Sequence, residues 1–393
     1  MKKILFYTSG VGLGGVERVI LEVLKEIDKS KFDIKLGLQY ANENTFENEI
    51  PKEIDYKYML PQSIIDKSLY YRSKKKNIFY KLLYSFMLKY EKYVIKKNYI
   101  NFSKDRDIVI DFKSGDFLKL INLENGKNKK GICWLHGEIL KLNRYEERKS
   151  KLRNQLNKCD KIICICNEMK ENVIKEMPEL EKKIQVIYNP FNINKILEKS
   201  NDLRELSIKE KEMLKERYIV MVSRLDNHQK DIPTLIKAFS LICYKNTNIK
   251  LYLLGEGPDR KIIEDEIKKL NLENKVILLG MKKNPYPWIK NAEILVHSSK
   301  YEGLPTVLIE ALILEKIIIS TNCPTGPKEI LGNNKYGSLV NIGDFEKMSE
   351  EISELLNPDS LKRKEYLENI KESVQRFDSK VILKGIENML EEL

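Results

Sequence analysis

The stretch Ala292-Glu293-Ile294-Leu295-Val296-His297-Ser298-Ser299-Lys300-Tyr301-Glu302-Gly303-Leu304-Pro305-Thr306-Val307-Leu308-Ile309-Glu310-Ala311-Leu312 changes its period part-way. Residues 292–297 are apolar and β-branched enough for a buried strand. After them, Val307, Leu308, Ala311, Leu312 and Leu314 fall at helical spacing. Glu302-Gly303-Leu304-Pro305-Thr306 therefore lies where a strand ends and a helix begins, the place at which an open parallel sheet binds ligands. The free N–H groups and positive dipole end of such a helix suit a diphosphate. Glu302 faces the loop mouth, and Glu310 follows about two helical turns further on. A carboxylate beside an anion site has a use if it accepts from sugar or ribose hydroxyls. The alternative is a helix carrying two solvated glutamates. The Gly-Leu-Pro-Thr insert and the buried strand before it favour the site.

Around that centre, 393 residues exceed one ordinary core, and two domains of roughly 180–190 residues are the natural division. A hydrophobic content of 42% with 33% charged residues fits a globular protein, and no run approaches the ~20 apolar residues of a membrane span. The apolar start stops at Thr8-Ser9-Gly10, too early for a secretory signal. Cysteines 133, 159, 164, 166, 243 and 323 are scattered. Cys164-Ile165-Cys166 lacks a second ligand pair for zinc, so reduced core thiols in a cytoplasmic protein are expected. The net charge of +12 calls for an anionic partner: a nucleotide, a phospholipid surface or nucleic acid.

In chain order, Lys3-Ile4-Leu5-Phe6-Tyr7 reads as a first strand, followed by Gly10, Gly12, Gly14 and Gly15 and a helix over 16–27. The glycine spacing is not the dinucleotide fingerprint. It serves either a tight strand–helix connection or a phosphate or acceptor contact. Residues 67–104 carry eleven Lys or Arg, interleaved up to Tyr93 with eight Tyr or Phe, and Glu91 is the single acid. Leu82, Leu83, Phe86, Tyr90, Tyr93 and Val94 could form one apolar helical stripe there. That pattern is expected of a helix lying on an anionic bilayer, or of a basic helix packed on its own domain; no nucleic-acid module accompanies it. Strands at 107–111 and 130–135 follow, the second delivering His136-Gly137-Glu138, where a histidine can meet a sugar hydroxyl or serve structure alone. The stretch 194–217 reads as a connection. In the second half, which opens with Tyr218 to Leu225, Arg224 and Lys230 both leave the C-terminal end of one strand, equipment for a departing diphosphate. Strand, loop and helix alternate to the end.

These residues resemble the retaining glycosyltransferases of the GT-B fold, family four, the type that builds lipid-linked oligosaccharide, capsule or lipopolysaccharide in bacteria. Ser223-Arg224-Leu225 with Lys230-Asp231, Gly255-Glu256-Gly257-Pro258, and Glu302 and Glu310 with seven residues between them carry the likeness, over about 218–345. It extends weakly to Gly14-Gly15 and His136. The family's usual glycine before Arg224 is here Ser223. The resemblance implies an α/β architecture of two doubly wound Rossmann-like domains facing a central cleft. An acceptor-side domain over 1–190 would be joined by a C-terminal helix, 376–393, crossing back to it, and a donor-binding domain would span 191–375. It implies that Glu310 holds the donor ribose, Glu302 the transferred sugar, and Arg224 and Lys230 the leaving diphosphate. Gly303, Leu304, Pro305 and Thr306 would bind phosphates, with Gly255 and Gly257 nearby. Asn284 and Pro285 would meet the base, and Gly14, Gly15 and His136 would lie by the reacting centre. Expected partners are a nucleotide sugar, UDP-linked, a glycan or lipid-linked acceptor, and an anionic membrane surface through 67–104, with no nucleic acid. No metal and no further cofactor is expected, and the resemblance implies front-face transfer with retention; no carboxylate pair suits double displacement, which argues against a glycosidase. The implied location is cytoplasmic, peripheral on the inner face of the membrane. A nucleotide-sugar epimerase of the same architecture and a non-enzymatic basic membrane-binding protein are the alternatives.

Overall fold

The alternation of apolar strand runs with amphipathic helices builds two all-parallel sheets in the computed structural model. It describes residues 1–12, 14–41, 46–112, 118–120, 129–137, 145–243 and 248–393. Leu13 of the glycine turn and Glu138 after His136 lie outside the described residues. The chain divides into two units: Met1–Ile165 with Lys170–Phe191 and Ile382–Leu393, and Cys166–Met169 with Asn192–Val381.

In the first unit, β1 (Lys2–Thr8), β2 (Phe32–Tyr40), β3 (Asp55–Leu60), β4 (Ile108–Asp111), β5 (Lys130–Leu135), β6 (Lys161–Cys164) and β7 (Ile184–Val186) lie in the order β3-β2-β1-β4-β5-β6-β7. Strands covered on both faces read as continuous apolar runs, and Ile4, Leu5 and Phe6 of β1 are wholly buried. The strand order reverses between β1 and β4, and the glycine turn leaves β1 at that point. It leads into α1 (Gly15–Glu26), which buries Val19, Ile20, Leu21, Val23 and Leu24. β3 escapes the sequence reading because it is an edge strand whose Asp55, Tyr56 and Lys57 are exposed.

α2 (Gln62–Ser73) and α3 (Ile78–Ser103) form a helical hairpin. α3 buries Met87, Tyr99 and Phe102; Tyr99 meets Tyr7 of β1 edge-on at 5.5 Å, and the Asn98 amide donates to the Met59 carbonyl at 2.8 Å. The single apolar stripe expected on this helix is split. Leu83 and Val94 turn part-way toward the protein, while Leu82, Phe86, Tyr90 and Tyr93 stay exposed. The six span about 120° of the helix, and it is the Leu83–Val94 edge of that face that leans on the protein. The last helix, Ser379–Glu392, buries Ile386, Met389 and Leu390. The Lys2 ammonium donates to the Leu390 carbonyl at 3.0 Å, and the Asp28 N–H to Glu387 Oε1 at 2.9 Å.

The second unit orders β8 (Tyr218–Val222), β9 (Lys250–Leu254), β10 (Val276–Gly280), β11 (Ile294–His297), β12 (Ile317–Thr321) and β13 (Ser338–Val340) as β10-β9-β8-β11-β12-β13. The helices Ile232–Cys243 and Phe345–Leu356 supply Leu235, Phe239, Met348 and Ile352 to a core against these strands. The 194–217 stretch is no bare connection. It holds the helices Ile193–Ser200 and Ile208–Met213, the second started by a Ser207–Glu210 capping box. Five of the six cysteines are buried thiols, and burial pushes Cys159 and Cys323 up to about 12. Among the described residues, no helix is long and apolar enough to cross a membrane.

Candidate active site

The second sheet reverses its strand order between β8 and β11, which makes the C-terminal ends of those two strands the topological switch point. β8 hands over to Ser223–Asp231 and β11 to Ser298–Thr306, and the two loops pair. Lys230 and Ser299 form an antiparallel bridge, with the Asp231 N–H donating to Ser298 O at 3.0 Å and the Lys300 N–H to Gln229 O at 2.8 Å. Ser299 is further fixed by Thr321, whose hydroxyl accepts from its N–H at 2.8 Å and donates to its carbonyl at 2.7 Å.

This pairing brings Lys230 and Glu302, which stand 72 positions apart, into a buried ion pair. Glu302 is 7% exposed and Lys230 9%. On Glu302 Oε1 converge the Lys230 ammonium, the Ser299 hydroxyl at 2.6 Å and His297 Nε2 at 3.0 Å. Burial alone would raise the carboxyl, but the Lys230 charge and the His297 contact outweigh it and hold Glu302 down at about 2. Burial and the same lysine charge lower His297, so its ring is neutral at pH 7 and the contact to the carboxylate puts the proton on Nε2. Its Nδ1 is buried and meets no hydrogen-bond partner among the described residues.

Glu302 Oε2 is different. Among the described residues its one donor is the Gln229 amide, at 3.3 Å. One oxygen is thus saturated by protein and the other keeps lone pairs for a ligand hydroxyl. Glu302 is also the single acceptor that Lys230 meets among the described residues, leaving two N–H groups of a buried cation to donate elsewhere. Arg224 is exposed and has no side-chain partner among the described residues. Pro305 precedes the helix Thr306–Ile313 and offers no side-chain cap, so its first N–H groups are not claimed by a side chain. Spare cationic donors, a spare carboxylate oxygen and an uncapped helix start make a site for an anion attached to a hydroxylated group. Glu310, within that helix, is 7% exposed, so neither glutamate is a solvated surface residue.

Two family models cover this chain almost end to end. Residues 13–195 match the model described as Glycosyltransferase Family 4, and residues 202–374 that described as Glycosyl transferases group 1. The chain belongs to the family 4 glycosyltransferases. An uncharacterized glycosyltransferase of Methanocaldococcus jannaschii is 38% identical to it over 173 residues, 44% of this chain and 42% of the relative. The N-acetylgalactosamine-N,N'-diacetylbacillosaminyl-diphospho-undecaprenol 4-alpha-N-acetylgalactosaminyltransferase of Campylobacter jejuni is 32% identical over 212 residues, 53% of each chain. The matches thus span about half the length of these relatives. The Anabaena protein HepE, crystallised in complex with UDP-glucose, superimposes over the whole of both chains with a TM-score of 0.78 at 18% identity. The fold of this glycosyltransferase is therefore GT-B, an α/β fold of two domains.

The glycosyltransferase's other expected site residues fall into four groups. Gly303, Leu304 and Pro305 form the turn into the helix that Thr306 opens, with Leu304 buried and the Thr325 hydroxyl donating to Gly303 O at 2.8 Å. Gly255 and Gly257 have a packing duty. A Cβ on Gly255, whose φ is +139°, would lie 1.8 Å from Ser223 O, and one on Gly257 2.2 Å from Leu225 O. These glycines let the β9 loop press on the backbone that carries Arg224. Pro285 caps the helix Tyr286–Asn291, and the Asn284 amide is tied to Lys199 O at 2.8 Å. In the first unit, His136 follows β5 and stacks on Trp134, 6.1 Å between centroids, and against Phe112 at 4.6 Å. Gly14 precedes α1 and Gly15 opens it. Sequence reasoning missed His297, Ser299 and Gln229. Their signal was adjacency: each lies within five residues of a residue already singled out, on a strand end or loop at the switch point. Among the described residues, no cluster of three or more His, Cys, Asp or Glu is placed to hold a metal ion.

Proposed function

We propose that this glycosyltransferase moves a hexose or N-acetylhexosamine from a UDP-sugar to a glycan or lipid-linked saccharide in the assembly of a bacterial surface polysaccharide. Transfer would proceed with retention and without a metal. The observation that carries the reading is the division of labour at Glu302, with Oε1 held by three protein donors and Oε2 left for a ligand beside the spare donors of Lys230 and Arg224. The Campylobacter relative, named for transfer to a diphospho-undecaprenol-linked sugar, and HepE with its UDP-glucose support the donor and acceptor classes.

The chemistry follows from the charges. Lys230 and Arg224 stabilise the negative charge that grows on the diphosphate as the glycosidic bond breaks, the part a bound cation would otherwise play. Glu302, ionised and bonded to Lys230, orients the sugar through a hydroxyl instead of attacking it, so the acceptor approaches from the face the diphosphate leaves. Glu310 takes the ribose hydroxyls. Its replacement by alanine removes charge-assisted hydrogen bonds of about 1.5–3 kcal/mol, a loss of roughly 10–100-fold in UDP affinity.

A thermal-shift panel with UDP, GDP, ADP and CMP, each with and without chelator, tests the reading. A ligand at 100 times its dissociation constant adds about 2.7 kcal/mol of stability. The expected result is a UDP shift, indifferent to chelator and lost in Glu310→Ala. UDP-sugars should then give up their sugar to a lipid-linked acceptor with the anomeric configuration kept. No shift with any nucleotide, or product formed from the donor alone, would overturn it.

A further inference from the structure

α3 has two apolar faces, and one of them is exposed, packing on none of the described residues. Its inner face closes the first sheet through Met87, Tyr99 and Phe102. On the other side Ile78 is 70% exposed, Phe79 61%, Leu82 64% and Phe86 67%, with Tyr90 and Tyr93 continuing the row. At about 100° per residue these six fall within one third of the helix circumference, a stripe about 22 Å long. A contiguous exposed stripe of this kind marks an interaction surface.

The surroundings say with what. Residues 67–104 hold eleven cations and the single acid Glu91. Lys74-Lys75-Lys76, all exposed, form the tip of the α2–α3 hairpin immediately before the stripe. The tip is built, not loose: Lys74 lies 4.5 Å above the Tyr70 ring and 5.3 Å from that of Tyr80, and Tyr70 meets Tyr71 and Tyr80 edge-on. We infer that the outer face of α3, with the lysine tip, docks the protein flat on an anionic phospholipid surface, the Ile78–Tyr93 stripe entering the interface and the lysines meeting the headgroups. A second copy of this face would bring like charges together across the contact. Duplex nucleic acid would use the lysines but leave Ile78 and Leu82 without apolar cover. An anionic bilayer satisfies both halves of the surface. The inference deepens the proposed function and rests on it for the reason a bilayer is visited, since a lipid-linked acceptor is held there.

The full chain is sedimented with phosphatidylcholine vesicles, with and without phosphatidylglycerol, at low and high salt. Binding is expected with phosphatidylglycerol alone and should fall as salt rises. Replacing Lys74, Lys75 and Lys76 by Gln should weaken it about fivefold for each lysine removed. The pair Phe79→Ser and Phe86→Ser should weaken it at least about tenfold. Because the substituted residues are exposed, every variant should keep the UDP thermal shift. The inference is overturned if the wild type ignores both vesicles, if the phenylalanine pair binds like wild type, if that pair abolishes a dimer in solution, or if an oligonucleotide displaces the vesicles. A wild type that keeps its UDP shift but ignores both vesicles sinks this inference alone; vesicle binding without any nucleotide shift sinks the transferase reading and leaves the surface standing.

Discussion

A buried carboxylate and a buried ammonium stabilise little as a pair, yet removing one of them is costly. Lys230→Met would leave Glu302 buried with its main charge partner gone. The cost is about 3–5 kcal/mol where the carboxylate stays ionised, and it depends on pH. In the wild type the carboxyl is held at about 2, below the ordinary 4.5, so its contribution is full above the ordinary value and lost as pH falls toward 2. In the variant, burial prevails and the folded value rises above the unfolded one, so stability is kept at low pH and lost as pH climbs through the new value. Urea melts should therefore show a wild-type-to-variant gap that widens from pH 5 to pH 8. A gap of constant size would mean the lysine contributes packing and little charge. The double replacement Lys230→Met with Glu302→Gln should recover most of the stability and none of the transfer, which separates what the pair does for folding from what it does for the diphosphate.

At the scale of the element, the loops at the switch point are held by glycines of the neighbouring strand. Leu225 N–H donates to Glu256 O at 3.0 Å and Asp259 N–H to Leu225 O at 3.1 Å, and a methyl group on Gly257 would meet the Leu225 backbone on three atoms within 2.7 Å. Gly257→Ala should cost about 1–3 kcal/mol by overpacking, roughly 2–4 °C in Tm per kcal/mol for a unit of this size. It should also lower turnover, because the backbone that must move carries Arg224. An unchanged Tm would show that the loop yields freely. The central strands and the helix after Pro305 were legible in the sequence because buried parallel strands and short amphipathic helices each leave a period. β3 was not, since an edge strand with Asp55, Tyr56 and Lys57 in water has no apolar run to betray it. Glu302 and Lys230 were each legible as candidates beside a helix start. That they share a buried bond was not, because only the adjacency of β8 and β11 joins residues 72 apart. His297 read as the last residue of a strand, and its contact with Glu302 depends on how the chain turns back after Ser299.

At the scale of the whole molecule, the chain's two ends meet in one unit. Ile382–Leu393 return to the unit that begins with Met1; Lys2 of the central strand β1 donates to Leu390 O at 3.0 Å, and Lys31 pairs with Glu391 at 3.0 Å. The exposed ion pair is screened by water and contributes little. The hold is apolar, through Ile386, Met389 and Leu390, each 1% exposed or less. Leu390→Ala should therefore destabilise the first unit by about 2–5 kcal/mol, while Lys31→Ala should leave its stability nearly unchanged. Chemical denaturation followed through Trp134, which lies fully buried in β5 of that unit, reads both. Trp288 belongs to the second unit, so the comparison is made in a Trp288→Phe background. Equal effects of the two substitutions would place the attachment of the last helix in its surface charges, whereas a large loss confined to Leu390→Ala places it in the buried row, with the last turn of the chain acting as part of the first unit's core.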